Sequence, residues 1–190
     1  MIVLSGPGVH NLRVSIEPDT KDWTWVVDQP CPDCGWDPRS VPREQLADEI
    51  HANTRGWYDV LADADFAVRP AQHVWSPIEY ACHVRDVFQR FDARMELMLT
   101  LDDPMFENWD QDATAVEDRY DEQDPATVLA DLQAAADQIA ARLDGIAGGQ
   151  WERPGRRSNG SVFTLDTLSR YLAHDPIHHV WDVRTGGAAA

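Results

Sequence analysis

Three histidines and an aspartate fall within six residues near the C-terminal end of the sequence, His174-Asp175-Pro176-Ile177-His178-His179. Imidazole nitrogens and carboxylate oxygens bind divalent ions, and residues four apart share one face of a helix. Two such pairs exist here, His174 with His178 and Asp175 with His179. The apolar stripe Leu165, Leu168, Leu172 continues by steps of three and four onto Asp175, His179 and Val183, which turns the second pair toward a core. A carboxylate and an imidazole buried there need a partner, and a divalent ion supplies one. Two alternatives stay open: the His174/His178 pair as ligands, and a polar helix face on which Asp175 is only an N-cap. Pro176 inside a helix removes a hydrogen bond and costs about 3 kcal/mol. The sequence therefore predicts either a kink at the cluster or a break with Asp175 capping a new segment.

A third ligand must come from another element, and His83 is the candidate. It lies two turns into a segment that opens with Ser76-Pro77-Ile78-Glu79, a capping box with proline at the first helical position. Taken alone, His83 reads as a satisfied core histidine before it reads as a ligand. Glu79 either orients the imidazole or serves only the cap, which is already a sufficient role. Cys31-Pro32-Asp33-Cys34 is the remaining chemical motif. Three cysteines cannot make a disulfide framework, so the pair is read as a metal knuckle, a redox pair or two plain thiols. As a knuckle it has half the ligands of a tetrahedral zinc site. Cys31 and Cys34 would then share an ion with histidines of the cluster, His178 among them, and close it as a structural centre.

Helices must position these groups. Leu46, Ile50, Trp57, Val60 and Leu61 fit one face of a helix over residues 42–62. The second helix runs from Ser76 to near Thr100 with Ile78, Val84, Val87, Phe88, Phe91, Met95 and Met98 as its apolar positions. Residues 102–123 are acidic and aromatic and read as a long connection, of the kind that is often functional. The third helix opens at Asp124-Pro125 and stops at Gly145; Gly148 to Gly160 reads as a loop. The fourth begins near Thr164, carries the histidine cluster and ends at Gly186-Gly187. The predicted class is all-α, a four-helix bundle with long connections over residues 41–187. Residues 1–40, with five prolines, form an irregular N-terminal arm with one short strand at Leu12–Ile16. Trp23, Trp25 and Trp36 would pin that arm to the bundle.

The 190 residues suit one domain, with 16 basic against 33 acidic residues and a net charge of −17. Such a surface repels phosphate backbones and anionic lipid, so neither nucleic acid nor membrane is an expected partner. No apolar run approaches the roughly 18–20 residues of a membrane span. Met1 to Gly8 lacks the features of a secretory signal, so a cytoplasmic location is expected. The expected partner is a small-molecule substrate, with the chain a monomer or homodimer.

Trp75-Ser76-Pro77-Ile78-Glu79-Tyr80-Ala81-Cys82-His83 resembles the second helix of the DinB-like (YfiT-like) superfamily of four-helix metal-binding proteins. Tyr171 to Val183 resembles its last helix, with a doubled histidine followed three residues later by Asp182. The likeness spans about residues 42–185. It implies one histidine ligand from the second helix and a four-apart pair from the last, which aligns onto His83, Asp175 and His179. The common pattern has histidine, and one branch glutamate, where Asp175 stands, so this site departs from both. The superfamily includes thiol-dependent S-transferases and mycothiol-dependent maleylpyruvate isomerases. The resemblance thus implies a divalent metal (zinc or nickel) and mycothiol as a candidate thiol. The activity implied is transfer or isomerisation of a small electrophile. Arg156 and Arg157 would bind carboxylates of such a thiol, unless they are plain surface charge. The competing expectation is a non-enzymatic metal-binding or stress-response protein with zinc completed by Cys31 and Cys34.

Overall fold

A computed structural model describes Ile16 and residues 21–186 of the chain. Its helices are α1 (Leu46–Leu61), α2 (Pro77–Thr100), α3 (Gln111–Glu117), α4 (Pro125–Gly145) and α5 (Leu165–Thr185). Three short strands, β1 (Met105–Phe106), β2 (Pro154–Arg157) and β3 (Val162–Thr164), lie between them. The architecture is the mostly helical one predicted, a bundle of α1, α2, α4 and α5.

Three of the long helices, α2, α4 and α5, begin where their cap chemistry places them. At α2 the Ser76 backbone N–H and hydroxyl both donate to Glu79 Oε2, at 2.8 and 2.7 Å, and Arg69 pairs with the same carboxylate. Glu79 is thus spent on the cap and on Arg69. Asp124 accepts from the Thr127 N–H at the start of α4, and Thr164 from the Thr167 N–H at the start of α5. Gly186, at φ +75°, closes α5 in the left-handed conformation that costs glycine least.

α1 and α2 each pack on α4 and α5 and much less on each other, so α1 and α2 stand at opposite corners of the bundle. That order brings α2 directly against α5. To the common core α2 contributes Val84, Val87, Phe88, Phe91 and Met95, and α5 contributes Leu165, Leu168 and Leu172, all buried. Buried polar groups tie further elements to α2. Tyr120 donates to Asp86, and Arg142 and Gln138 of α4 reach Asp92. α5 continues as one helix through Pro176, so Asp175 is an interior residue and caps no new segment.

Two features depart from the sequence reading. Residues 102–123 carry a helix of their own, α3, followed by a single 3-10 turn at Tyr120–Glu122. Residues 148–160, expected to be a loop, begin with a 3-10 turn (Gly148–Glu152) and then enter a small sheet of order β1-β2-β3. In it β1 runs parallel to β2, and β2 antiparallel to β3. Asn159-Gly160 makes the turn between β2 and β3, with Gly160 at φ +98°. The alternation of a strand then separates neighbours: Gly155 and Phe163 are buried while Arg156 faces outward. A Cβ at Gly155 would lie 2.6 Å from Met98 Cγ, which is why the sheet sits so close to α2. The N-terminal arm has a 3-10 turn at Thr24–Val27 that packs on α5, with Val26, Cys31 and Trp36 buried. The strand predicted at Leu12–Ile16 lies outside the described residues except for Ile16, which has no regular structure.

Leu172 is fully buried on the face of α5 that carries the cluster. Leu172→Ala should lower stability by about 2–5 kcal/mol. Denaturant unfolding should show a lower midpoint at unchanged slope.

Candidate metal centre

The α2–α5 contact brings His83, Asp175 and His179 together. Their ligand atoms all lie within 4.8 Å of one another. Asp175 Oδ1 is 3.7 Å from His83 Nε2 and 3.5 Å from His179 Nε2. Donors about 2.0–2.1 Å from a tetrahedral ion stand roughly 3.3–3.4 Å apart, so the observed spacing is close to that of ligands around one ion. His83 is 1 % exposed, and neither of its ring nitrogens has a hydrogen-bond partner among the described residues. Asp175 Oδ1 is likewise buried without such a partner. Leaving the two facing atoms, His83 Nε2 and Asp175 Oδ1, in that state costs free energy that a divalent cation would recover. The residues fit a metal.

Electrostatics agree with the geometry. Burial, stronger than the nearby Asp175 charge, holds the His83 imidazole below its ordinary pKa and therefore neutral near pH 7. For Asp175 burial pushes upward, but the imidazoles of His179 and His83 outweigh it and hold the carboxyl at about 2. His83 and Asp175 thus offer a neutral imidazole and an ionised carboxylate, the states that bind metal. Asp182 Oδ2 lies 2.9 Å from His179 Nδ1, which leaves Nε2 to face Asp175. A carboxylate behind a ligating imidazole fixes its tautomer and raises its basicity.

The walls are aromatic. Trp109 stacks on His83 with ring centroids 5.2 Å apart and planes 7° from parallel, while Trp75 approaches the same ring to 5.1 Å. Tyr80 lies 5.1 Å from His179. A cleft of about 370 Å³ opens on one side, lined by Trp75, Tyr80, Asp112, Asp175, His179 and Asp182 among others. A smaller space of about 70 Å³ lies on the other side against His83, Arg94, Trp109 and Arg157. Asp175, Gln111 and Tyr171 line both, so the triad stands between them.

Arg157 lines the smaller space with its Nε buried and without a hydrogen-bond partner among the described residues. Its guanidinium lies 5.3 Å from the rings of both Phe163 and Tyr171. Arg156 is instead exposed and pairs with Asp103 at 2.7 Å. Cys31, Cys34 and His178 are brought together, with His174, on the neighbouring face of α5 and apart from the triad. Both four-apart pairs of the helix are therefore occupied in separate clusters. Cys82 is buried on α2 with its thiol pushed up to about 12 by desolvation, and belongs to neither. Sequence reasoning missed Trp109, Trp75 and Arg94. The acidic-aromatic stretch 102–123 carried the signal for Trp109, but nothing in it specified the contact with His83.

The chain belongs to the DinB superfamily, whose model matches residues 46–183. Among solved structures it is similar to YfiT from Bacillus subtilis, with a TM-score of 0.63 and 23% identity over 76% of this chain and 86% of that one. That protein is described as a probable metal-dependent hydrolase with an unusual four-helix bundle topology. No curated protein matches the chain. Family, fold and donor set together support a metal-binding function for a divalent ion. Among the described residues no helix is long and apolar enough to cross a membrane.

His83→Ala should abolish stable binding at the triad, while Asp182→Asn should weaken it by about 10–100-fold through the loosened His179 ring. Competition with a chromogenic chelator measures both.

Proposed function

We propose that the protein is a metal-dependent transferase or isomerase that acts on a small electrophile with a low-molecular-weight thiol, mycothiol being the first to test. The observation that supports this most is a three-donor set, His83, Asp175 and His179, lying beside a cleft while the cysteine pair is engaged elsewhere. Three protein donors leave a coordination position for a reactant, as in catalytic rather than closed structural sites. The bound ion would supply Lewis acidity, lowering the pKa of a coordinated thiol or polarising a carbonyl.

The chain's own residues do the rest. Asp182 keeps the His179 ring oriented. Trp75, Trp109 and Tyr80 limit water around the triad, which strengthens electrostatic interactions there. Burial raises the Tyr171 hydroxyl pKa, so the group stays protonated and can donate to substrate oxygen. Arg157 presents an under-used guanidinium suited to a carboxylate of substrate or thiol. A low-molecular-weight thiol as co-substrate accords with a cytoplasmic setting.

A second reading takes water as the nucleophile, making the protein a hydrolase; the solved relative's description favours it. The competing non-enzymatic reading has a structural zinc completed by Cys31 and Cys34; their grouping with His174 and His178 suits such a zinc but leaves the triad open beside its cleft.

The discriminating experiment uses metal-loaded protein without a polyhistidine tag, given an activated electrophile with and without mycothiol, and an activated ester in parallel. Thiol-dependent conjugate formation is expected. His83→Ala should reduce it by more than the roughly 10–100-fold that loss of an outer partner costs. Arg157→Ala should raise KM for a carboxylated electrophile roughly tenfold, about the worth of one charged hydrogen bond, with kcat less affected. Ester hydrolysis indifferent to thiol would establish the second reading instead. Full metal occupancy with neither activity would remove both.

A further inference from the structure

The N-terminal arm carries two thiols whose only sequence signal is their spacing. In the fold they meet the other histidine pair of α5. One donor atom each from Cys31, Cys34, His174 and His178 lies within 4.8 Å of all the others. Cys31 Sγ is 3.6 Å from His178 Nδ1. A sulfur at about 2.3 Å and a nitrogen at about 2.0–2.1 Å from a tetrahedral zinc stand roughly 3.5–3.6 Å apart, so this pair already has the separation that an ion would require.

We propose that Cys31, Cys34, His174 and His178 form a second, structural zinc site, separate from the triad and holding the arm against α5. Soft thiolates with imidazoles in an S2N2 set select zinc over harder divalent ions. Binding releases the two thiol protons to solvent, and two thiolates with two neutral imidazoles neutralise the ion, so the assembly can be buried. The triad has only one negative donor and an adjoining cleft, whereas here four protein donors leave no position for substrate.

Independent observations support the site. Cys31 is 1 % and His174 4 % exposed, and His174 Nε2 is buried with no hydrogen-bond partner among the described residues. The turn is shaped to present both sulfurs on one side. The Gly35 N–H donates to the Cys31 carbonyl at 3.0 Å, the Cys31 N–H to the Trp36 carbonyl at 2.9 Å, and Gly35 takes φ +76°. Glycine is the residue that adopts this conformation without strain. Both cysteines are free thiols. Aromatic rings pack against the histidines: Trp23 lies 4.7 Å from His178, and Trp36 lies 6.0 Å from His174.

The site has a structural task. Trp23 and Lys21 of the arm line the cleft beside the triad, so a zinc that fixes the arm fixes that wall. Asp182 connects the two centres, with one oxygen 2.9 Å from His179 Nδ1 and the other 3.6 Å from His178 Nε2.

Metal content of tag-free full-length protein tests the proposal, with cobalt substitution to report the ligand type. Wild type should bind two equivalents, and its cobalt form should show thiolate-to-cobalt charge-transfer absorption in the near ultraviolet. Cys31→Ser/Cys34→Ser should lose one equivalent and that absorption while keeping the triad ion. His83→Ala should lose the other equivalent and retain the absorption. Should the double variant fail to fold, wild-type protein supplies a second readout: zinc should protect Cys31 and Cys34 from alkylation, and a chelator should expose them. Unchanged zinc content in the double variant, a cobalt spectrum without thiolate bands, or alkylation indifferent to zinc would each overturn the site. So would a Cys31–Cys34 disulfide in metal-replete protein. Because His83→Ala removes only the triad ion, failure of the proposed catalysis and failure of this site are separable.

Discussion

Everything chemical in this protein depends on the turn angle of one helix. Successive residues of α5 are about 100° apart, so His174/His178 and Asp175/His179 occupy adjoining strips. One strip faces α2 and the other faces the arm. The bundle order, with α2 directly against α5, supplies His83 to the first strip. The arm, packed on the same helix, supplies Cys31 and Cys34 to the second. A six-residue sequence thereby serves two clusters of different composition, one with a carboxylate beside a cleft and one with two sulfurs under tryptophan.

The environments of the two clusters differ as much as their donors. The triad is flanked by open space on two sides and backed by Asp182. The sulfur-containing cluster has Trp23 and Trp36 against its histidines, which reach only the larger cleft. Substrate chemistry needs an open coordination position, which three protein donors leave and four do not. Arg157 belongs with the open cluster because strand alternation in β2 turns it inward and sends Arg156 to Asp103.

The long helices were legible because their signals are local. Ser76 to Glu79, Asp124-Pro125 and the stripe Leu165, Leu168, Leu172 state where helices start and which face is buried. The same stripe points to Asp175 and His179, and the structure sets both against His83. What was not legible depends on contacts between distant segments. Cys31-Pro32-Asp33-Cys34 is expected to meet histidines of the cluster, His178 among them, but nothing in it states that it takes the His174/His178 pair and leaves the triad apart. The placement of Trp109 over His83 follows from the path of residues 102–123, which lacks a regular apolar period. The β2–β3 hairpin reads as a loop in the sequence because its strands are too short for alternation to stand out.

Pro176 lies between the two members of each donor pair. It has no N–H to give the Leu172 carbonyl, so the helix lacks one backbone rung within the stretch that carries the ligands. The freed Leu172 carbonyl lies ahead of both pairs, so the interruption spares the next rungs, from residues 178 and 179 back to 174 and 175, which hold each pair at helical pitch.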